Sequence, residues 1–162
     1  MNTFELIPGD PESTVILHVP HSSTHIPDDV RAGIVLSDDE LAAEFAAITD
    51  AKTDIIAEGA SRLAGIRPWI FVNRISRLVI DPERFPDERE ELNAVGMGAV
   101  YERTTDLRTL RRPSADERQD LIDRFAASGL DSSQAAGAAG LFTDAGAALV
   151  DGNTVGLSQR LQ

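Results

Sequence analysis

The stretch Pro68 to Phe85, PWIFVNRISRLVIDPERF, constrains the fold more than any other part of the chain. Trp69, Ile70, Phe71 and Val72 run into Asn73 and Arg74, and Leu78, Val79 and Ile80 run into Asp81, Pro82, Glu83 and Arg84. Short apolar runs bounded by proline and ending in polar residues predict two buried strands that deliver charge to strand ends, where the ligands of α/β proteins sit. Arg74, Arg77 and Arg84 fall within eleven residues of a chain whose formal net charge is -12. A guanidinium grips a carboxylate through two parallel hydrogen bonds, so these arginines form a candidate anion clamp. The alternative is a structural ion network with Asp81, Glu83 and Asp87.

With 27 acidic against 15 basic residues, phosphates are repelled and non-specific nucleic-acid binding is disfavoured. An anionic small molecule then needs a locally basic pocket, which the central arginines would provide. The 162 residues, 42% of them hydrophobic, suit a single domain over 1–162 with a real core. No apolar run approaches the roughly 20 residues of a bilayer crossing, and MNTFELIPGDPEST lacks the basic and apolar regions of a secretory leader. No membrane partner is expected. The absence of cysteine rules out disulfides and thiolate metal ligands and is compatible with the cytoplasm, the expected location.

After a loop rich in Pro and Asp, Thr14 to Val19 (TVILHV) predicts a first buried strand. It ends at Pro20, and His21, Ser22, Ser23, Thr24 and His25 follow as a polar loop closed by Pro27. Ser37 with Glu40 forms a capping box. Leu41, Phe45, Ile48, Ile55, Ile56 and Leu63 then keep helical spacing to Gly65, as one long helix or two broken at Thr49 and Asp50. Beyond a charged loop, the glycines of GMGAVYERTTDLRTLR (Gly96 to Arg111) match neither the dinucleotide fingerprint nor a P-loop. A second capping box, Ser114 to Glu117, starts a helix with Leu121, Ile122 and Phe125 on one face. From Ala126 the chain is rich in Ala, Gly and Ser, with a final short strand expected from Ala147 to Val150. Helices alternating with apolar strands predict an α/β fold, with a mainly parallel sheet flanked by helices.

All three histidines, His18, His21 and His25, lie within eight residues. His18 falls inside the expected strand, and Pro20 and Pro27 argue against a helix that would align His21 with His25. A loop histidine is either a hydrogen-bonding residue or a metal ligand. A zinc site here also needs carboxylates, with Asp50, Asp54, Asp81 and Glu102 as candidates, each by default a cap, an ion-pair partner or a surface charge. There is no GxSxG elbow, so a serine hydrolase is disfavoured.

Three motifs in order, HVPHSSTHIP (His18 to Pro27), FVNRISRLVIDPERFPDE (Phe71 to Glu88) and GMGAVYERTTDLRTLR, resemble the N-formylglutamate amidohydrolase family over residues 14 to 125. The resemblance implies a fold similar to the zinc-dependent exopeptidases. It also implies hydrolysis of N-formyl-L-glutamate, or a related N-acyl amino acid, to formate and glutamate in histidine breakdown. It further implies zinc or another divalent metal held by His21 and Asp50. Asn73, Arg74, Arg77 and Arg84 would bind the anionic amino-acid substrate, and Glu83 or Glu102 would shuttle the proton. Asp81 belongs to the same signature. The tail from 126 to 162 departs from the family pattern. Leu130 and Asn153 stand where the resemblance implies further histidines, and the last part of the family's fold is expected to be missing. A weak catalyst with an exposed apolar patch and a tendency to self-associate is expected, or a non-catalytic protein that binds a small dicarboxylate.

Overall fold

The run from Trp69 to Asn73 forms the central strand of a three-stranded sheet in the computed structural model, which describes residues 3–126. Strand β1 (Phe4–Ile7) pairs with it on one side and β2 (Ile16–Val19) on the other, giving the order β1-β3-β2 with β3 at Trp69–Asn73. A strand flanked and covered on both faces must be apolar throughout, which is why WIFV does not alternate with polar residues. Ile70 and Val72 pack with Val19 and Ala57, and Phe71 stacks on Phe4 at 5.0 Å between ring centroids. Each such side chain contributes roughly 1.5–3 kcal/mol by leaving water.

The sheet is mixed rather than mainly parallel. β2 runs parallel to β3, with Val19 opposite Val72, but β1 is antiparallel, with Phe4 opposite Asn73. The N-terminal segment expected to be loop therefore supplies an edge strand. Its four residues FELI, interrupted by Glu5 and stopped by Pro8, carry too little pattern to reveal it.

A second correction concerns Leu78 to Ile80, which form a buried turn and not a strand. Their side chains are at most 2% exposed. Their main chain is satisfied locally: the Ser76 hydroxyl accepts from Leu78 N–H (3.1 Å), the Ser76 carbonyl from Val79 N–H (2.9 Å), and Ala99 O from Asp81 N–H (2.8 Å). An apolar run needs a strand only if a neighbouring strand is available to pair with it. Here turn bonds and the Arg111 side chain do that work, with Arg111 Nη2 donating to the carbonyls of Leu78 and Val79.

Helix α1 spans Asp28–Arg31, α2 Asp38–Ile48 and α3 Thr53–Leu63. The Ser37–Glu40 capping box is formed, and the break between α2 and α3 falls at the expected Thr49 and Asp50. Buried Glu44 ties α2 to the 105 loop by accepting from Thr105 N (2.7 Å) and its hydroxyl (3.1 Å). In α3, Ile55, Ile56 and Leu63 keep helical spacing yet stay exposed, while Ala57 packs on the sheet. Helix α4 (Ala115–Leu121), opened by the Ser114–Glu117 box, passes into a π-helical turn at Ile122–Ala126. Leu121, Ile122 and Phe125 of this segment pack against Val30, Val79 and Val100. The whole is an α/β fold with a small mixed sheet and helices. Among the described residues no helix is long and apolar enough to cross a membrane. Leu130, Asn153 and the strand expected at 147–150 lie outside the described residues.

Candidate active site

Because β2 and β3 are parallel, their C-terminal ends lie side by side, and the loops that leave them are stitched together through the main chain. Asn73 Nδ2 donates to Pro20 O (2.9 Å), the Ser23 hydroxyl to Arg74 O (2.9 Å), Ser76 N–H to His25 O (2.7 Å) and Asp50 N–H to His21 O (3.0 Å). Together these contacts hold the His21 ring at 4% exposure, at the junction of the β2 loop, the start of α3 and the 81–84 turn.

The two nitrogens of His21 meet different surroundings. Nε2 lies 2.9 Å from Asp81 Oδ1. Nδ1 faces two carboxylates, Asp50 Oδ2 at 3.5 Å and Glu83 Oε2 at 3.8 Å, and the other Glu83 oxygen lies 3.8 Å from His18 Nδ1. Those separations exceed a direct hydrogen bond of about 2.9 Å. Ligands roughly 2.0–2.2 Å from a tetrahedral ion sit about 3.4 Å apart, close to the His21–Asp50 spacing. Imidazole and carboxylate oxygens suit a divalent ion chemically. Among the described residues, however, no group of three or more His, Asp or Glu is gathered as a complete metal site. The structure thus brings His21 and Asp50 together, with Glu83 the second carboxylate on the Nδ1 side. His25 is exposed and enters through its carbonyl.

Asp81 anchors the far side of His21. It is 1% exposed. Its Oδ1 also accepts Glu83 N–H (3.0 Å), and Oδ2 accepts from Arg77 Nη2 (2.6 Å), Arg77 Nε (3.2 Å) and the Tyr101 hydroxyl (3.1 Å). Burial pushes the Asp81 carboxyl up, but the hydrogen bond from His21 and the positive charge of Arg77 outweigh it and hold Asp81 below the usual carboxylate range. Burial likewise raises the Tyr101 hydroxyl, reinforced by the Asp81 charge, so it stays a donor. Tyr101 was not singled out from the sequence. As the chain's one tyrosine, inside an apolar run, it needed a polar partner once buried, which was the available signal.

The four candidate substrate residues separate. Asn73 is a buried clamp, with Oδ1 accepting Ile75 N–H (3.3 Å). Arg74 pairs with Glu5 (2.5 Å) and faces Asp54 (3.9 Å) at the sheet edge. Arg77 is engaged with Asp81. Arg84 stands 3.6 Å from Asp81 and 3.7 Å from Glu90, and its buried Nε has no hydrogen-bond partner. Glu102, the second proton-shuttle candidate, pairs with Arg118 and is not among the groups around His21. A separate cleft lined by Val30, Arg111, Leu121 and Arg124 shares no residue with this group.

A model of the N-formylglutamate amidohydrolase family matches residues 13–127 of the chain. No curated protein matches the sequence. Among solved structures, the crystal structure of N-formylglutamate amidohydrolase from Ralstonia eutropha JMP134 is similar, with a TM-score of 0.61 and 19% identity over 99% of this chain and 54% of that one. The chain therefore spans about half the length of that relative, and the likeness between the two carries the fold.

Proposed function

Since the chain belongs to the N-formylglutamate amidohydrolase family, we propose that it serves metal-dependent hydrolysis of N-formyl-L-glutamate, or of a related N-acyl amino acid, to formate and the free amino acid. The observation that carries this is His21: one ring nitrogen is taken by buried Asp81, while the other faces Asp50 and Glu83 at 3.5 and 3.8 Å. Imidazole nitrogen and carboxylate oxygen are donor types that a divalent cation takes, and these two carboxylates lie on the same side of the ring. His21 and Asp50 would hold it, with Glu83 beside them. A bound zinc would acidify water and polarise the formyl oxygen, as in the zinc-dependent exopeptidases whose fold the family resembles.

Glu83, half-exposed and 3.8 Å from His21 Nδ1, would take the proton from the attacking water and pass it to the leaving amine. Arg84 and Arg74 are both partly exposed, and each would receive a substrate carboxylate, Arg74 by exchanging Glu5 for it. The test is formate release from N-formyl-L-glutamate with added zinc. Activity and stoichiometric zinc, both lost in His21→Ala, support the proposal; zinc-independent turnover would overturn it. A second function, binding of a small dicarboxylate without chemistry, is favoured by Arg74 and Arg84, whose guanidinium groups stay partly exposed. Metal-free protein that binds formylglutamate without releasing formate would select it.

A further inference from the structure

We infer that Asp81 is a positioning residue: its carboxylate holds His21 as the Nε2-protonated tautomer and so turns the Nδ1 lone pair toward Asp50 and Glu83. The hydrogen bonds around Asp81 lead to this directly. A carboxylate met by Arg77 Nε and Nη2, the Tyr101 hydroxyl and Glu83 N–H has every reason to stay ionised, and an ionised carboxylate only accepts. The 2.9 Å contact from His21 Nε2 to Asp81 Oδ1 therefore needs its proton on Nε2. In the neutral ring Nδ1 is then left with its lone pair.

Rotation of the ring cannot exchange the two nitrogens cheaply. His21 is 4% exposed and Asp81 1% exposed, so breaking their contact would leave a buried carboxylate short of a donor. The position of Asp81 is itself fixed. Its own N–H is bonded to Ala99 O (2.8 Å), and Arg77 and Tyr101 clamp the other oxygen from the turn before it and from residue 101. Histidines that bind a metal commonly donate their second N–H to a carboxylate, which fixes tautomer and ring orientation and raises the basicity of the ligating nitrogen. The use of the lone pair rests on the proposed function; the tautomer does not.

The experiment uses the whole chain, labelled with 15N in histidine, without metal and then with zinc chloride added. Long-range 1H–15N correlations report the protonated nitrogen of each ring, with His21 assigned from His18→Gln and His25→Gln variants. The expected result is His21 protonated at Nε2 in the metal-free protein. Protonation at Nδ1, or an even mixture, overturns the inference without any variant being needed. In Asp81→Asn, whose amide can accept or donate, the preference should be lost and zinc affinity, measured by chelator competition, should fall about 10–100-fold. A folded Asp81→Asn protein that keeps both the tautomer and the affinity also overturns it. Should zinc leave the His21 Nδ1 signal unmoved in a wild-type protein with the Nε2 proton, the metal proposal fails while the role of Asp81 in fixing the tautomer is supported.

Discussion

Two buried charges, Asp81 and Arg111, differ in the kind of partner that holds them. Asp81 is held by side chains: His21, Arg77 and Tyr101, with one backbone N–H from Glu83. Arg111, 5% exposed, is held by the main chain alone, donating from Nε to Tyr101 O (2.7 Å) and from Nη2 to the carbonyls of Leu78 and Val79. Its Nη1 is buried without a partner, and burial pushes its pKa down to about 10, still charged at neutral pH. A charge that satisfies carbonyls replaces missing strand partners and serves the fold. A charge that orders ionisable side chains fits the site of the proposed function.

The largest effect should come from removing the strut. Arg111→Met strands three buried carbonyls and opens the 78–80 turn, so unfolding free energy should drop by about 3–5 kcal/mol in urea titrations. The His21 tautomer should be unchanged in the molecules that remain folded. A neutral substitution would mean that the carbonyls find other donors, and the distinction between strut and site would lose its basis.

Acid comes next, and its sign follows from Asp81. Its pKa lies lower in the folded protein than in the unfolded chain, so the stability it contributes is fully present above the unfolded value of about 4 and is lost as pH falls below it. Urea midpoints should fall between about pH 5 and pH 3, and Asp81→Asn should flatten that fall while leaving the smaller slope from Asp10 and Asp87, which Arg67 and Arg89 hold low, and from Asp106, held low by the Thr104 hydroxyl and Arg108. An unchanged slope would mean that Asp81 is not ionised against its neighbours. Arg111 titrates nowhere near this window, so its variant should keep the slope at a lower midpoint.

The same contrast explains which parts of the structure were legible in the sequence. Local signals held: both capping boxes, the helix break at Thr49 and Asp50, and β3 were readable because each is specified by adjacent residues. The two apolar runs of the central stretch look alike in composition, yet only the first finds strands on both sides. What decides the second is Arg111, some thirty positions away, and no periodicity encodes that. In the site, proximity in sequence signalled Asp81, Glu83 and Arg84 together, but not that Asp81 would face inward to His21 and Tyr101. Arg74 and Arg77 sit in one motif and end up in separate networks, because one follows the strand to the sheet edge and the other begins the buried turn.

Within the Asp81 group a milder change sharpens the comparison. Tyr101→Phe removes one of several donors and leaves the carboxylate paired with Arg77 and His21, so stability should fall by about 1 kcal/mol and the His21 tautomer should persist. A loss as large as that of Arg111→Met, measured in the same titration, would make Tyr101 part of the strut and not of the site.

The smallest expected effect on stability is at Arg74, and it separates fold from function most cleanly. Its partners Glu5 and Asp54 are at the surface, and its own side chain is 37% exposed. Exposed pairs of this kind are typically worth under about 1 kcal/mol, so Arg74→Ala should move the urea midpoint little. Arg77, by contrast, cannot be removed without uncovering Asp81. If Arg74 also receives a substrate carboxylate, its loss should cost binding far more than folding, on the order of 2–5 kcal/mol in the affinity for N-formyl-L-glutamate. Calorimetric titration of Arg74→Ala beside Arg84→Ala decides between them. Weakened binding in both places a carboxylate across the two arginines, and weakened binding only in Arg84→Ala assigns recognition to the arginine beside Asp81. Unchanged affinity in both would return the whole arginine cluster to the fold.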